Sequence, residues 1–94
     1  MKLSEAQKRA LTTMIRRNWH VEIISLCRRS WATYWMSADF CRAHFVCQPN
    51  ARTLQSLERK GLLGRDREDS PIFNLILTPK GCDLAKELQD AETE

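Results

Sequence analysis

The chain has 94 residues, enough for one domain and one modest core, since a chain of that size buries roughly 60–65% of its unfolded surface. Its 43% hydrophobic and 29% charged residues exclude an intrinsically disordered polyelectrolyte, and no apolar run approaches the ~18 residues of a membrane-spanning helix. The net charge of +3 hides a split: fourteen Lys/Arg stand against seven Asp/Glu up to Gly81 (+7), and in residues 82–94 Lys86 stands against five acids (−4). The basic body favours a polyanionic partner.

The first stretch, MKLSEAQKRALTTM, is amphipathic and lacks the apolar core of a secretory signal, so the cytoplasm is the expected compartment. Ser4 with Gln7 reads as a capping box. Ala6/Gln7, Ala10/Leu11 and Met14/Ile15 recur at helical spacing behind it. The spacing predicts a helix over about 4–17, with Arg16, Arg17 and Asn18 at the end where cations complement the dipole. Residues 19–29 fit two patterns. Ile23, Cys27 and Trp31 lie on a helical stripe, whereas Val21, Ile23, Ser25 and Cys27 alternate as in a strand. Aromatic residues and Thr33 make about 30–36 a strand.

Ser37 is placed to cap a short helix over about 38–45, with Phe40, Cys41, His44 and Phe45 on its buried side. A connector, VCQP, leads to NARTLQSLERKG, residues 50–61. Asn50 caps the start of this helix, and Gly61 ends it by taking the left-handed conformation without strain. At 100° per residue Leu54 and Leu57 share one face, and Arg52, Gln55, Ser56 and Arg59 share the other. Arg suits guanine O6/N7, Gln suits adenine N6/N7, and either can hold phosphate. A short helix, a tight connector and a second helix with a polar outer face outline a helix-turn-helix. Leu62–Arg67 can extend, Glu68–Pro71 are turn formers, and IFNLILT alternates as a strand, which makes a hairpin. Thr78 with Pro79 opens a last helix with an apolar stripe of Leu84, Ala85 and Leu88. It is expected to fray near Gln89–Glu94.

No catalytic constellation stands out, so an enzyme is not expected. The chain's three glycines, Gly61, Gly64 and Gly81, all have structural explanations, leaving no phosphate loop. Cys41, His44 and Cys47, with Cys27, His20 or Cys82, offer donors for zinc, but the usual C-x₂₋₄-C pair is missing. The four cysteines read as buried, reduced small hydrophobes rather than metal ligands or redox switches, and no cofactor is implied. Trp19, Trp31 and Trp35 read as core or dimer contacts.

RTLQSLERKGLL resembles the recognition-helix end of bacterial winged-helix regulators, and LTPKGCDLAKEL resembles the segment that leaves the wing in MarR-like regulators. The resemblance covers about 50–90. It implies a mainly α domain with a small β-hairpin wing, a winged helix-turn-helix over residues 1–94. It further implies a transcriptional regulator that binds duplex DNA as a homodimer. The positions it marks are Arg52, Gln55, Ser56 and Arg59 on the recognition helix, Arg65 and Arg67 on the wing, and Asn50 and Thr53 at the helix start. Glu68 and Asp69 fall at the expected wing tip, where phosphates would repel them. They support the alternative, a winged-helix module that binds a protein, such as a phage or mobile-element accessory protein acting on a host complex.

Overall fold

The computed structural model describes residues 2–27, 30–39, 41–43 and 48–93. Helix α1 spans Glu5–Arg17. Strands β1, His20–Cys27, and β2, Ser30–Met36, follow. Helix α2 is Ala51–Arg59. Strands β3, Leu63–Arg65, and β4, Ile72–Leu77, lead into helix α3, Pro79–Thr93.

Local chemistry sets the ends of these elements. Ser4 Oγ accepts from the Gln7 backbone N–H at 3.2 Å, and Gln7 Oε1 accepts from the Ser4 N–H at 2.8 Å. That is the reciprocal capping box the sequence predicts. Asn18 closes α1 in the left-handed region at φ 53°, which Asn tolerates better than most residues. Gly61 follows α2 at φ 77°. Thr78 ties two junctions together: its hydroxyl donates to Gly61 O at 2.7 Å and accepts from Gly81 N–H at 3.0 Å.

The strands form one antiparallel sheet in the order β2-β1-β4-β3. Cross-strand pairs Val21–Trp35, Val21–Leu75, Ile23–Thr33 and Ile23–Phe73 define its inner face. The helices pack against that face and one another. The core combines Leu11 and Met14 of α1, Leu54 and Leu57 of α2, Val21, Ile23, Phe73 and Leu75 of the sheet, and Ala85 of α3. Leu54 and Leu57 are fully buried, as the wheel geometry requires. Gly81 packs so closely on Leu62 that a Cβ there would run into the Leu62 carbonyl.

The domain is therefore α+β, not the mainly α winged helix-turn-helix expected from the sequence. The difference lies in residues 19–43. Residues 19–29 carried both periods, and β1 wins because it has partners on both edges, β2 and β4. The expected helix over 38–45 is not seen in the described part of that segment. Met36 bridges Arg42, and Ala43 N–H donates to Trp35 O at 2.9 Å. On the same edge Trp35 N–H donates to Gln48 Oε1 at 3.0 Å. These residues satisfy the outer edge of β2, whose backbone groups need partners of their own. Positions 40 and 44–45 of that expected helix, and with them Phe40, His44 and Phe45, lie outside the described residues. At the other end, α3 continues through the stretch expected to fray, to Thr93.

Candidate nucleic-acid interface

Helix α2 is held on three sides. Its apolar seam enters the core. On one flank Ser56 Oγ accepts from Gln7 Nε2 at 2.7 Å, and Gln7 Oε1 also accepts from Lys60 Nζ at 3.2 Å. On the other flank Glu58 binds Arg65 of β3 through both carboxylate oxygens, at 2.5 and 3.1 Å. What remains turned outward is a ridge of Arg52 and Arg59, both exposed, with Gln55 half-buried beside them. The two arginines are seven residues apart, two helical turns or about 10.5 Å. Neither makes an ion pair among the described residues.

The positions marked by the sequence thus separate into groups. Arg52, Gln55 and Arg59 share the open ridge. Asn50 is exposed and its Oδ1 accepts from Arg52 N–H at 2.8 Å, so it serves as the N-cap. Thr53 is half-buried on the side facing α1. Ser56, marked as a base-reading residue, has its hydroxyl committed to the α1–α2 junction. Arg65, marked as a wing contact, lies folded over the inner face. Its guanidinium sits 4.3 Å from the Phe73 ring centroid and 5.4 Å from that of Trp31. Donating to the Glu58 carboxylate raises its pKa above the usual arginine value, so its charge is already answered. Arg67 is exposed in the β3–β4 connection beside Asp66.

The structure adds residues that the sequence reading left out. A groove of about 390 Å³ runs between α1 and the start of α2. Ala6, Arg9, Ala10, Thr13 and Arg17 form one wall. Gln48, Pro49, Asn50 and Thr53 form the other, and the buried indole of Trp35 lies at the bottom. Among the described residues no carboxylate lines it. Glu5, the acid of α1, turns to Lys8 at 3.8 Å. The spacing of Arg9, Thr13 and Arg17, every fourth residue, marks one helical face in the sequence. That this face meets the N-terminus of α2 is a tertiary fact.

The three tryptophans serve packing. Trp19 lies 6.0 Å from Trp35, and Trp31 meets Phe73 edge-on at 5.5 Å. Cys27 and Cys41 are exposed and Cys82 half-buried, and all three are free, which corrects the expectation of buried thiols for these three; Cys47 lies outside the described residues. Among the described residues no three His, Cys, Asp or Glu side chains come together as metal ligands, and no helix is long and apolar enough to cross a membrane.

Among the described residues no helix covers the sheet's outer face. Arg42 bonds Glu22 at 2.9 Å and stacks on Tyr34 at 4.1 Å, and Asp66 grips Asn74 through its backbone and side chain. Around this polar row Leu26, Ile72 and Ile76 stand exposed. Comparison of the chain with protein-family models, curated proteins and solved structures returns no match.

Proposed function

We propose that this protein is a small cytoplasmic DNA-binding protein whose α2 ridge enters the major groove of duplex DNA. The observation that carries this reading is the contrast among its arginines. Arg42 and Arg65 are each bonded to a glutamate, whereas Arg52 and Arg59, on the outer ridge of α2, are exposed with no carboxylate in reach among the described residues. Two unanswered guanidiniums flanking an amide, on a helix rigidly fixed by its seam and both flanks, are the complement of base edges and phosphates. Arg52, Gln55 and Arg59 take the bases or the nearest phosphates. Asn50, Thr53 and Arg9 stand at the helix start, where backbone contacts position a reading helix. A nine-residue helix covers only a few base pairs, so specific regulation by this route calls for a homodimer on paired half-sites.

The test is fluorescence anisotropy on labelled random-sequence duplex DNA across a salt series. Binding near micromolar at low salt is expected. Arg59→Ala should flatten the plot of log affinity against log salt by about one unit, because each phosphate contact releases counterions. Absence of duplex binding at low salt refutes the reading.

One observation favours a second reading, a protein-binding module. Leu26 is 68% exposed and shares the uncovered sheet face with Ile72 and Ile76, and apolar residues gathered on one face suit a protein partner. Leu26→Asp with Ile72→Asp would abolish such an interaction and leave duplex binding intact.

A further inference from the structure

We infer that the groove between α1 and the start of α2 seats one unpaired nucleotide of a DNA strand, beside the duplex that α2 contacts. The inference rests on the DNA-binding reading for its setting and on the groove for its content. Size comes first. At about 390 Å³ the groove is far larger than a lone phosphate needs and lies in the range of small-molecule sites. Its lining is divided in the way a nucleotide is divided. Ala6 and Pro49, backed by the buried Ala10 and Trp35, offer apolar surface to a base. Arg9 and Arg17 stand two turns apart on the same wall, suited to the phosphates on either side of it. Across from them lies the N-terminal end of α2, whose first turn contains no acid and whose helix dipole attracts anions.

An intact duplex cannot use such a site, because each paired base has its faces covered by its neighbours. Only an unstacked base presents an apolar face together with a flanking phosphate. The groove's position sets where that base comes from. Asn50 and Thr53 belong both to the groove wall and to the first turns of α2. Arg52, between them in sequence, begins the outer ridge. A strand leaving the duplex at the N-terminal end of α2 enters the groove within a nucleotide or two. The preferred ligand is therefore a duplex with a single-stranded end or fork.

Anisotropy with three labelled ligands tests this: a blunt duplex, the same duplex with a three-nucleotide overhang, and that overhang with abasic sites. The overhang should bind about tenfold more tightly than the blunt duplex, and the abasic overhang should lose that gain, since base contact with protein apolar and aromatic surface supplies it. Thr13→Phe, which fills the groove from the α1 wall, should erase the gain and leave blunt-duplex affinity within about twofold. Arg52→Ala should weaken all three ligands. Equal affinity for blunt and overhanging duplex, or an undiminished gain with abasic sites, overturns the inference and leaves the duplex reading standing. Binding of the overhang alone, lost in Thr13→Phe, overturns the duplex reading and upholds the groove. The abasic arm needs no variant, so it decides even where Thr13→Phe does not fold.

Discussion

Replacing Arg65 by alanine separates a structural arginine from a ligand-binding one. In the structure its guanidinium meets Glu58 through two nitrogens and covers Phe73 and Trp31. Side-chain exposures of 35% for Arg65 and 23% for Glu58 place the pair between surface and core. An exposed pair contributes about 0.2–1 kcal/mol, and the bidentate geometry argues for the upper end. The cation over the rings adds about 0.5–1 kcal/mol. Arg65→Ala should therefore cost about 1–2 kcal/mol in urea denaturation. Glu58→Gln should lose part of the same energy, so a double-mutant cycle should show coupling of about 1 kcal/mol. On DNA, Arg65→Ala should leave the salt slope unchanged, unlike Arg59→Ala. A stability change below about 0.3 kcal/mol, together with a salt slope flattened by about one unit, would show instead that Arg65 faces phosphate.

Leu57→Ala should cost about 2–5 kcal/mol in chemical denaturation, because the side chain is fully buried in the shared core; a loss under about half a kcal/mol would contradict the packing of α2. Gly81→Ala should destabilise by about 1–3 kcal/mol or more, since its Cβ meets the Leu62 carbonyl backbone; unchanged stability in urea would refute that close approach. Burial lowers the His20 pKa below its ordinary 6.5, against the opposing pull of Asp66 and Glu22. The unfolded chain then takes up the proton first, so stability present above pH 6.5 should fall as the pH drops through the lowered value. His20→Gln should remove that slope from the urea midpoints between pH 7 and 5, and a wild type that gains stability on acidification would refute it. For Asp66, burial pushes the pKa up, but the bonds from Asn74 and the nearby Arg67 outweigh it and hold it below 3.8. Its contribution should be full above pH 3.8 and be lost below it, a second acid step that Asn74→Ala should shrink in the same titration.

Several features of this chain are properties of neighbouring residues and could be read without the fold. Ser4 and Gln7 cap α1 reciprocally because the spacing alone brings the groups together. Asn50 starts α2, Gly61 follows it at positive φ, and Leu54 and Leu57 face the core because 100° per residue puts them there. The Arg52–Gln55–Arg59 ridge follows from the same geometry. Other features depended on contacts distant in sequence. Val21–Cys27 obeyed two periods at once, and β1 became a strand because Trp35 and Leu75 lie on either side of Val21. The segment after Met36 has local helical signals, but the described residues close the edge of β2 instead, since unpaired edge backbone is costlier than a weak local preference. Ser56 and Arg65 looked like ligand contacts because a helical wheel and a hairpin pattern show which side chains point outward from their own element. Neither shows that Gln7, 49 residues away in sequence, or Glu58, across the α2–β3 junction, already holds them. The groove was illegible for the same reason: Arg9, Thr13 and Arg17 mark a face of α1, and only the packing of α1 and β2 against α2 sets that face opposite Asn50 and over Trp35.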